Sequence, residues 1–205
     1  MGEGKGHYLA RKDGHVYYDK RGNGSPLIFL HAVGLSGWSW RKIIGSFAKH
    51  FTCYNVDLPG YDHSDVPSRQ YSIGDFTDAI VDLMDNVGIV KTKIVGDHSG
   101  SMVAVDLAGR YPDRVERMVL DGMPYWNKES GRAFFEKNFR PQHTDTSSYD
   151  IPVSPMWTYE EALVHYPSWD KELWAKREEI KAKSRLWVRL SQDANTGYDM
   201  QAAGP

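Results

Sequence analysis

From about residue 8 to residue 124, short apolar runs alternate with longer stretches in which apolar positions recur every three or four residues. Residues 8–11 and 15–21, separated by Asp13 and Gly14, predict an antiparallel hairpin with a type I′ turn, because Asp-Gly readily takes the positive φ angles that turn needs. Residues 26–31 (Pro-Leu-Ile-Phe-Leu-His) and 51–57 are near-continuous apolar runs, as strands buried on both faces require, and Pro59 and Gly60 stop the second. Residues 93–95 and 115–121 supply two more strands.

Helical patterns lie between these strands. Ser72 is a candidate N-cap with Asp75 three residues on, and Phe76, Ala79, Ile80, Leu83, Met84 and Val87 then share one face until Gly88 ends the run. Residues 99–111 form a second amphipathic pattern, closed by Pro112. Strands alternating with helices of this length predict an α/β fold, with a mostly parallel sheet covered by helices on both faces.

After residue 124 the texture changes. Residues 125–149 are polar and mixed, and no further buried-strand pattern follows. Residues 159–164 and 170–190 read as helices, the second carrying Trp174, Ile180, Leu186, Trp187 and Leu190. Four of the seven tryptophans fall in the last third of the chain, more apolar bulk than a linker needs, which predicts an inserted helical lobe. The expected division is a core over residues 1–124, a helical cap over 125–200, and a return at 201–205 toward a core segment outside this chain.

The chemistry concentrates in Ile94-Val-Gly-Asp-His-Ser-Gly-Ser101, an apolar strand running into a helix through a turn bracketed by Gly96 and Gly100. A turn this tight leaves no room for side chains two residues either side of its apex, which is the setting of a nucleophile elbow. His98 stands at the apex. Ser99 is the rival nucleophile, but it needs a one-residue shift that would put Asp97 and Ser101 where the glycines belong.

With these residues the chain resembles the α/β-hydrolase superfamily. Residues 29–40 (Phe-Leu-His-Ala-Val-Gly-Leu-Ser-Gly-Trp-Ser-Trp) look like its oxyanion loop, and residues 57–65 (Asp-Leu-Pro-Gly-Tyr-Asp-His-Ser-Asp) resemble its D-x-P-G-x-G-x-S loop. Residues 107–115 and 118–121 are similar to the end of its elbow helix and its sixth strand. The likeness is to the capped branch containing epoxide hydrolases, haloalkane dehalogenases, carbon–carbon bond hydrolases and small esterases. It departs at three points: His98 replaces the usual Ser, Asp or Cys, and Ala32 and Asp62 stand where glycines are usual. The last two strands of that fold, which usually carry the triad acid and histidine, lie beyond Pro205 in the expected order.

The resemblance implies a hydrolase acting on a small apolar ester or a related substrate, or alternatively a non-catalytic or weakly catalytic ligand-binding member in which His98 contacts the ligand. His98 could act as base or nucleophile, since an imidazole near pKa ~6.5 is largely neutral at pH 7. Asp121 ends the sixth strand where some members place the triad acid, with a turn residue before Gly122 as the equal alternative. The backbone N–H groups of Val33 and Ser99 would form the oxyanion hole. His31, Trp38, Trp126 and Trp157 are the candidate pocket residues, with His31 also readable as a structural loop residue, and His63 and Ser64 as stabilisers of the turn after Gly60.

Composition narrows the field. With 25 Lys and Arg against 27 Asp and Glu, a net charge of -2 gives no reason to expect nucleic acid or a membrane surface as partner. The lone Cys53 cannot form an internal disulfide, and no signal-length apolar segment is present, so a cytoplasmic protein is expected. No motif calls for a cofactor or metal. A small-molecule substrate is the expected partner, together with self-association through an exposed sheet edge.

Overall fold

The computed structural model describes residues 5–125, 127–138, 158–165, 167, 169–184 and 198–199. Six strands form one sheet: β1 (Lys5–Arg11), β2 (Gly14–Arg21), β3 (Ser25–Leu30), β4 (Phe51–Val56), β5 (Thr92–Asp97) and β6 (Val115–Asp121). Their order is β1-β2-β4-β3-β5-β6, antiparallel from β1 to β4 and parallel from β4 to β6. The α/β expectation holds, with the apolar runs in the middle.

Alternation along β3 explains the layering. Ile28 and Leu30 face a large cluster with Phe76, Ile80, Leu83 and Met84 of α2 (Ile73–Asn86) and Met102, Val103 and Leu107 of α3 (Ser99–Arg110). Leu27 and Phe29 face the other way, onto Ile44 of the short α1 (Ile44–Phe47) and Trp40. The Ser72 cap forms as expected: its side chain accepts from Asp75 N–H while the Asp75 carboxylate accepts from Ser72 N–H. At the other end Gly88 takes φ 72°, and Ile89 N–H reaches back to the Met84 carbonyl at 2.7 Å.

The hairpin turn is a correction. Arg11 pairs with Gly14, so the loop is Lys12-Asp13, and neither residue has a positive φ, which excludes a type I′ turn. Gly14 carries the unusual angle instead, at φ 129°, leaving the Asp13 carboxylate to accept from Tyr71 and Arg11.

Among the described residues three further helices follow β6: α4 (Lys128–Asn138), α5 (Tyr159–His165) and α6 (Lys171–Ser184). The first lies in the polar, mixed stretch of the expected cap, where no individual helix is evident from sequence. Its overlooked signal is Asn127, whose side-chain oxygen accepts from Ser130 N–H at 2.9 Å as an N-cap does. The expected helix over 170–190 is observed to Ser184, and the expected return at 201–205 lies outside the described residues. Helix α6 packs on the loops that follow β3 and β4. Ile180 is buried in the main cluster, Ser184 donates to the Gly60 carbonyl at 2.7 Å, and Asp170 binds Arg41 at 3.2 Å. Among the described residues β1 and β6 are the two outer strands of the sheet, and Val119 of β6 is 62% exposed. No described helix is long and apolar enough to cross a membrane.

Candidate active site

Strand β5 runs into α3 through His98 alone. That residue has φ 49° and ψ -107°, outside the ordinary left-handed well, and such a backbone costs on the order of 1–3 kcal/mol unless its surroundings impose it. The surroundings do. A Cβ on Gly96 would lie 2.7 Å from the Gly100 carbonyl carbon, and a Cβ on Gly100 would lie 2.3 Å from the Leu30 carbonyl oxygen. His98 N–H donates to the Asp121 carbonyl at 2.8 Å, and the Ser101 hydroxyl donates to the Gly96 carbonyl at 2.7 Å. The apex belongs to His98 and not to Ser99.

The imidazole is partly buried, and among the described residues its Nδ1 has no hydrogen-bond partner. Burial pushes its pKa below the ordinary histidine value, which keeps the ring neutral at pH 7. Asp97 and Asp121 are register partners at the ends of β5 and β6. Burial, reinforced by the neighbouring Asp121 charge, pushes Asp97 up to about 6. The structure thus joins Asp121 to His98 through the backbone, while its carboxylate bears on Asp97. Asp97 was not singled out from sequence, since nothing local marks a carboxylate that burial will perturb.

The oxyanion expectation needs correction at Val33. Its N–H is not open to a ligand: it donates to the Ser99 hydroxyl at 2.6 Å. Ser99 is the first residue of α3 and 5% exposed, and by position its own N–H has no intrahelical acceptor.

Of the two readings of His31, pocket residue and structural loop residue, its contacts fit the second. It is wholly buried, its Nδ1–H donates to the Ala32 carbonyl at 2.8 Å, and its Nε2 accepts from Leu58 N–H at 2.9 Å. Burial lowers its pKa, and both nitrogens are occupied, so it ties the loop after β3 to the loop after β4. Trp38 lies under Arg41, whose guanidinium carbon is 3.4 Å from the ring centroid and which reaches on to Asp170 and Glu172. It therefore sits where the loop after β3 meets α6. Trp126 and Trp157 lie outside the described residues. Two other tryptophans, Trp169 and Trp174, pack on each other and on Tyr159 and Arg177.

The Asp57–Asp65 loop explains why Asp62 replaces a glycine. Asp62 keeps the positive φ of that position, 45°, and its buried carboxylate accepts from Ser36 at 2.9 Å and from Lys176 of α6 at 3.1 Å. Asp57 accepts from Gly37 N–H at 2.8 Å and from His63 Nδ1–H at 2.9 Å, and this bond raises the His63 pKa. Ser64 accepts from Tyr17 N–H at 2.9 Å, so His63 and Ser64 brace the turn as expected. The donor atoms of Asp57, Asp62 and His63 lie within 4.8 Å of one another, close enough for a metal, but Gly37, Ser36 and Lys176 already engage the two carboxylates. Ala32, the other departure, has a negative φ and fits without strain.

A family model described as "alpha/beta hydrolase fold" matches residues 25–194. Among curated proteins, (E)-2-((N-methylformamido)methylene)succinate hydrolase of Acinetobacter baylyi is 29% identical over 109 residues, 53% of this chain and 41% of that protein. Epoxide hydrolase 3 of Mus musculus is 35% identical over 112 residues, 54% of this chain and 30% of that protein. The chain thus spans less than half the length of these curated relatives. A haloalkane dehalogenase loop variant from Bradyrhizobium elkanii superposes with a TM-score of 0.76 at 22% identity, covering 98% of this chain and 75% of that one.

Proposed function

We propose, for a chain that belongs to the α/β-hydrolase fold family, that its site hydrolyses a small apolar ester or a related substrate bound between the elbow and the helical lobe. One observation carries this reading: a strained, partly buried, neutral imidazole, whose Nδ1 has no partner among the described residues, stands where the strand-to-helix turn presents a side chain to the end of the sheet at which such folds bind ligands. The named relatives, which include an epoxide hydrolase and a succinate-type hydrolase, support the same reaction class.

A neutral imidazole suits a base. His98 takes a proton from water as the oxygen adds to the ester carbonyl, and the resulting oxyanion is stabilised by donors at the start of α3. Collapse of the tetrahedral species breaks the bond to the alcohol oxygen, which receives the proton back from the imidazolium. Acid and alcohol are the products, and His98 is regenerated. In this scheme Asp121 acts through the backbone that holds His98, and Trp38 belongs to the junction with the lobe.

The closed Val33 N–H favours a second reading, a member that binds a small molecule through His98 with little or no turnover. A chromogenic ester and thioester panel separates the two. With His98→Ala we expect a fall of about 10²-fold or more in kcat, in keeping with loss of a general base. Unchanged turnover in that variant refutes the assignment. Binding of panel compounds without turnover in the parent protein supports the second reading.

A further inference from the structure

We propose that the donor meeting the substrate's carbonyl oxygen on the loop side of this site is the Ser99 hydroxyl, with the Val33 N–H behind it as a positioning group. This rests on the hydrolase reading above and deepens it. A serine hydroxyl has one hydrogen and two lone pairs. Val33 N–H fills one lone pair at 2.6 Å, which fixes the Ser99 rotamer, and among the described residues the hydroxyl hydrogen meets no acceptor.

Direct use of Val33 is the alternative, and the distances disfavour it. A substrate oxygen accepting from Val33 N–H would need to lie about 2.7–3.1 Å from it. The Ser99 Oγ, at 2.6 Å, already occupies that place. Substrate would have to rotate the hydroxyl away, exchanging one hydrogen bond for another with no net gain. Through the hydroxyl, the Val33 bond is kept and a new one is added. Accepting a hydrogen bond also polarises the O–H, strengthening it as a donor by about 10–30%. Ser99 is only 5% exposed, so water competes weakly for that hydrogen. The loop holding Val33 is itself fixed by Leu35 N–H donating to the Ala32 carbonyl at 3.1 Å, with Gly34 at φ 79°. One residue thus offers two donors, its hydroxyl and its own N–H at the first position of α3.

The test compares the parent protein with Ser99→Ala and Ser99→Thr, the second keeping a hydroxyl. Two readouts are taken: p-nitrophenyl ester kinetics, and the carbonyl stretch of bound acetophenone, a ketone that cannot be hydrolysed. We expect Ser99→Ala to lose about 10²-fold in kcat with KM within a few fold, and Ser99→Thr to recover most of it. The ketone stretch should be red-shifted in the parent and in Ser99→Thr, and return toward its free value in Ser99→Ala. A loss that is only structural would lower the melting temperature without moving that stretch. Retention of the red shift in Ser99→Ala, or turnover equal to the parent's, would show that the uncovered Val33 N–H takes the oxygen directly and would overturn the proposal. A Ser99-dependent shift without any ester turnover leaves the donor standing and removes the hydrolase reading. Absence of a shift in the parent ends the donor assignment whatever the turnover.

Discussion

Replacing Lys176 by methionine should loosen α6 more than replacing Asp62 by glycine, although both changes delete the same ion pair. The asymmetry comes from burial. Asp62 is 5% exposed and carries φ 45°, whereas the Lys176 side chain keeps 17% exposure and also reaches Glu179 at 3.1 Å. Lys176→Met preserves the aliphatic stem and leaves a buried carboxylate with Ser36 at 2.9 Å and the more distant His63 at 3.6 Å. Breaking a fully buried pair from one side costs about 3–5 kcal/mol, and the surviving partners reduce this to roughly 2 kcal/mol. Asp62→Gly removes the carboxylate together with its backbone strain, a relief of ~1 kcal/mol. The ammonium that remains can turn to Glu179 and water, a loss of about 1 kcal/mol or less. The two terms nearly cancel, and the buried Ser36 hydroxyl, left without its acceptor, adds a cost of about 1 kcal/mol, still below the Lys176→Met loss. Urea unfolding of the three proteins gives the global difference, and amide hydrogen exchange across Lys171–Ser184 shows whether α6 is the element that opens. Equal losses in the two variants, or a smaller loss for Lys176→Met, would refute the argument that the buried carboxylate is the dependent partner.

Two pH effects follow from perturbed groups. The His63 pKa is raised in the folded state by its bond to Asp57, so its stabilisation is complete below the unfolded value near ~6.5 and is lost as pH rises through the folded value. Thermal melts of the parent and of His63→Gln should therefore differ more at pH 6 than at pH 8, and a constant difference would count against the bond. Asp97 behaves in the opposite sense to a salt-bridged carboxylate: with its pKa pushed up to about 6, folding is favoured while it is protonated, and that advantage fades as pH rises from about 4 through about 6. Asp97→Asn should gain melting temperature relative to the parent at pH 7.5 but not at pH 4, and the reverse order would show that Asp97 has a cationic partner.

Several features of this protein were legible in local sequence because their physics is local. The spacing of Gly96, His98 and Gly100 specifies the apex, since the two glycines sit where a Cβ has no room. Ser72 and Asp75 specify a helix start because both halves of the capping box lie within one turn. Alternation along residues 26–31 places Ile28 and Phe29 on opposite faces whatever covers them. The Asp13-Gly14 dipeptide does not reveal the turn, because the register pairs Gly14 with Arg11 and the Asp13 carboxylate joins a network with Tyr71, 58 residues away, that a dipeptide preference does not contain.

The site itself was only half legible. Sequence places His98 and Ser99 next to each other and Val33 on a loop, but only the folded chain brings Val33 N–H onto the Ser99 hydroxyl, a contact spanning 66 residues. His31 reads from sequence as either a pocket or a structural loop residue, and only the fold, by giving both its nitrogens backbone partners, decides for the second. Asp62 looks like a flaw in a glycine position until α6 delivers Lys176 from 114 residues further on. Backbone sterics and helix capping act over a few residues and leave their mark in order and spacing. Hydrogen-bond saturation and burial depend on which distant segments arrive, and those the tertiary structure alone decides.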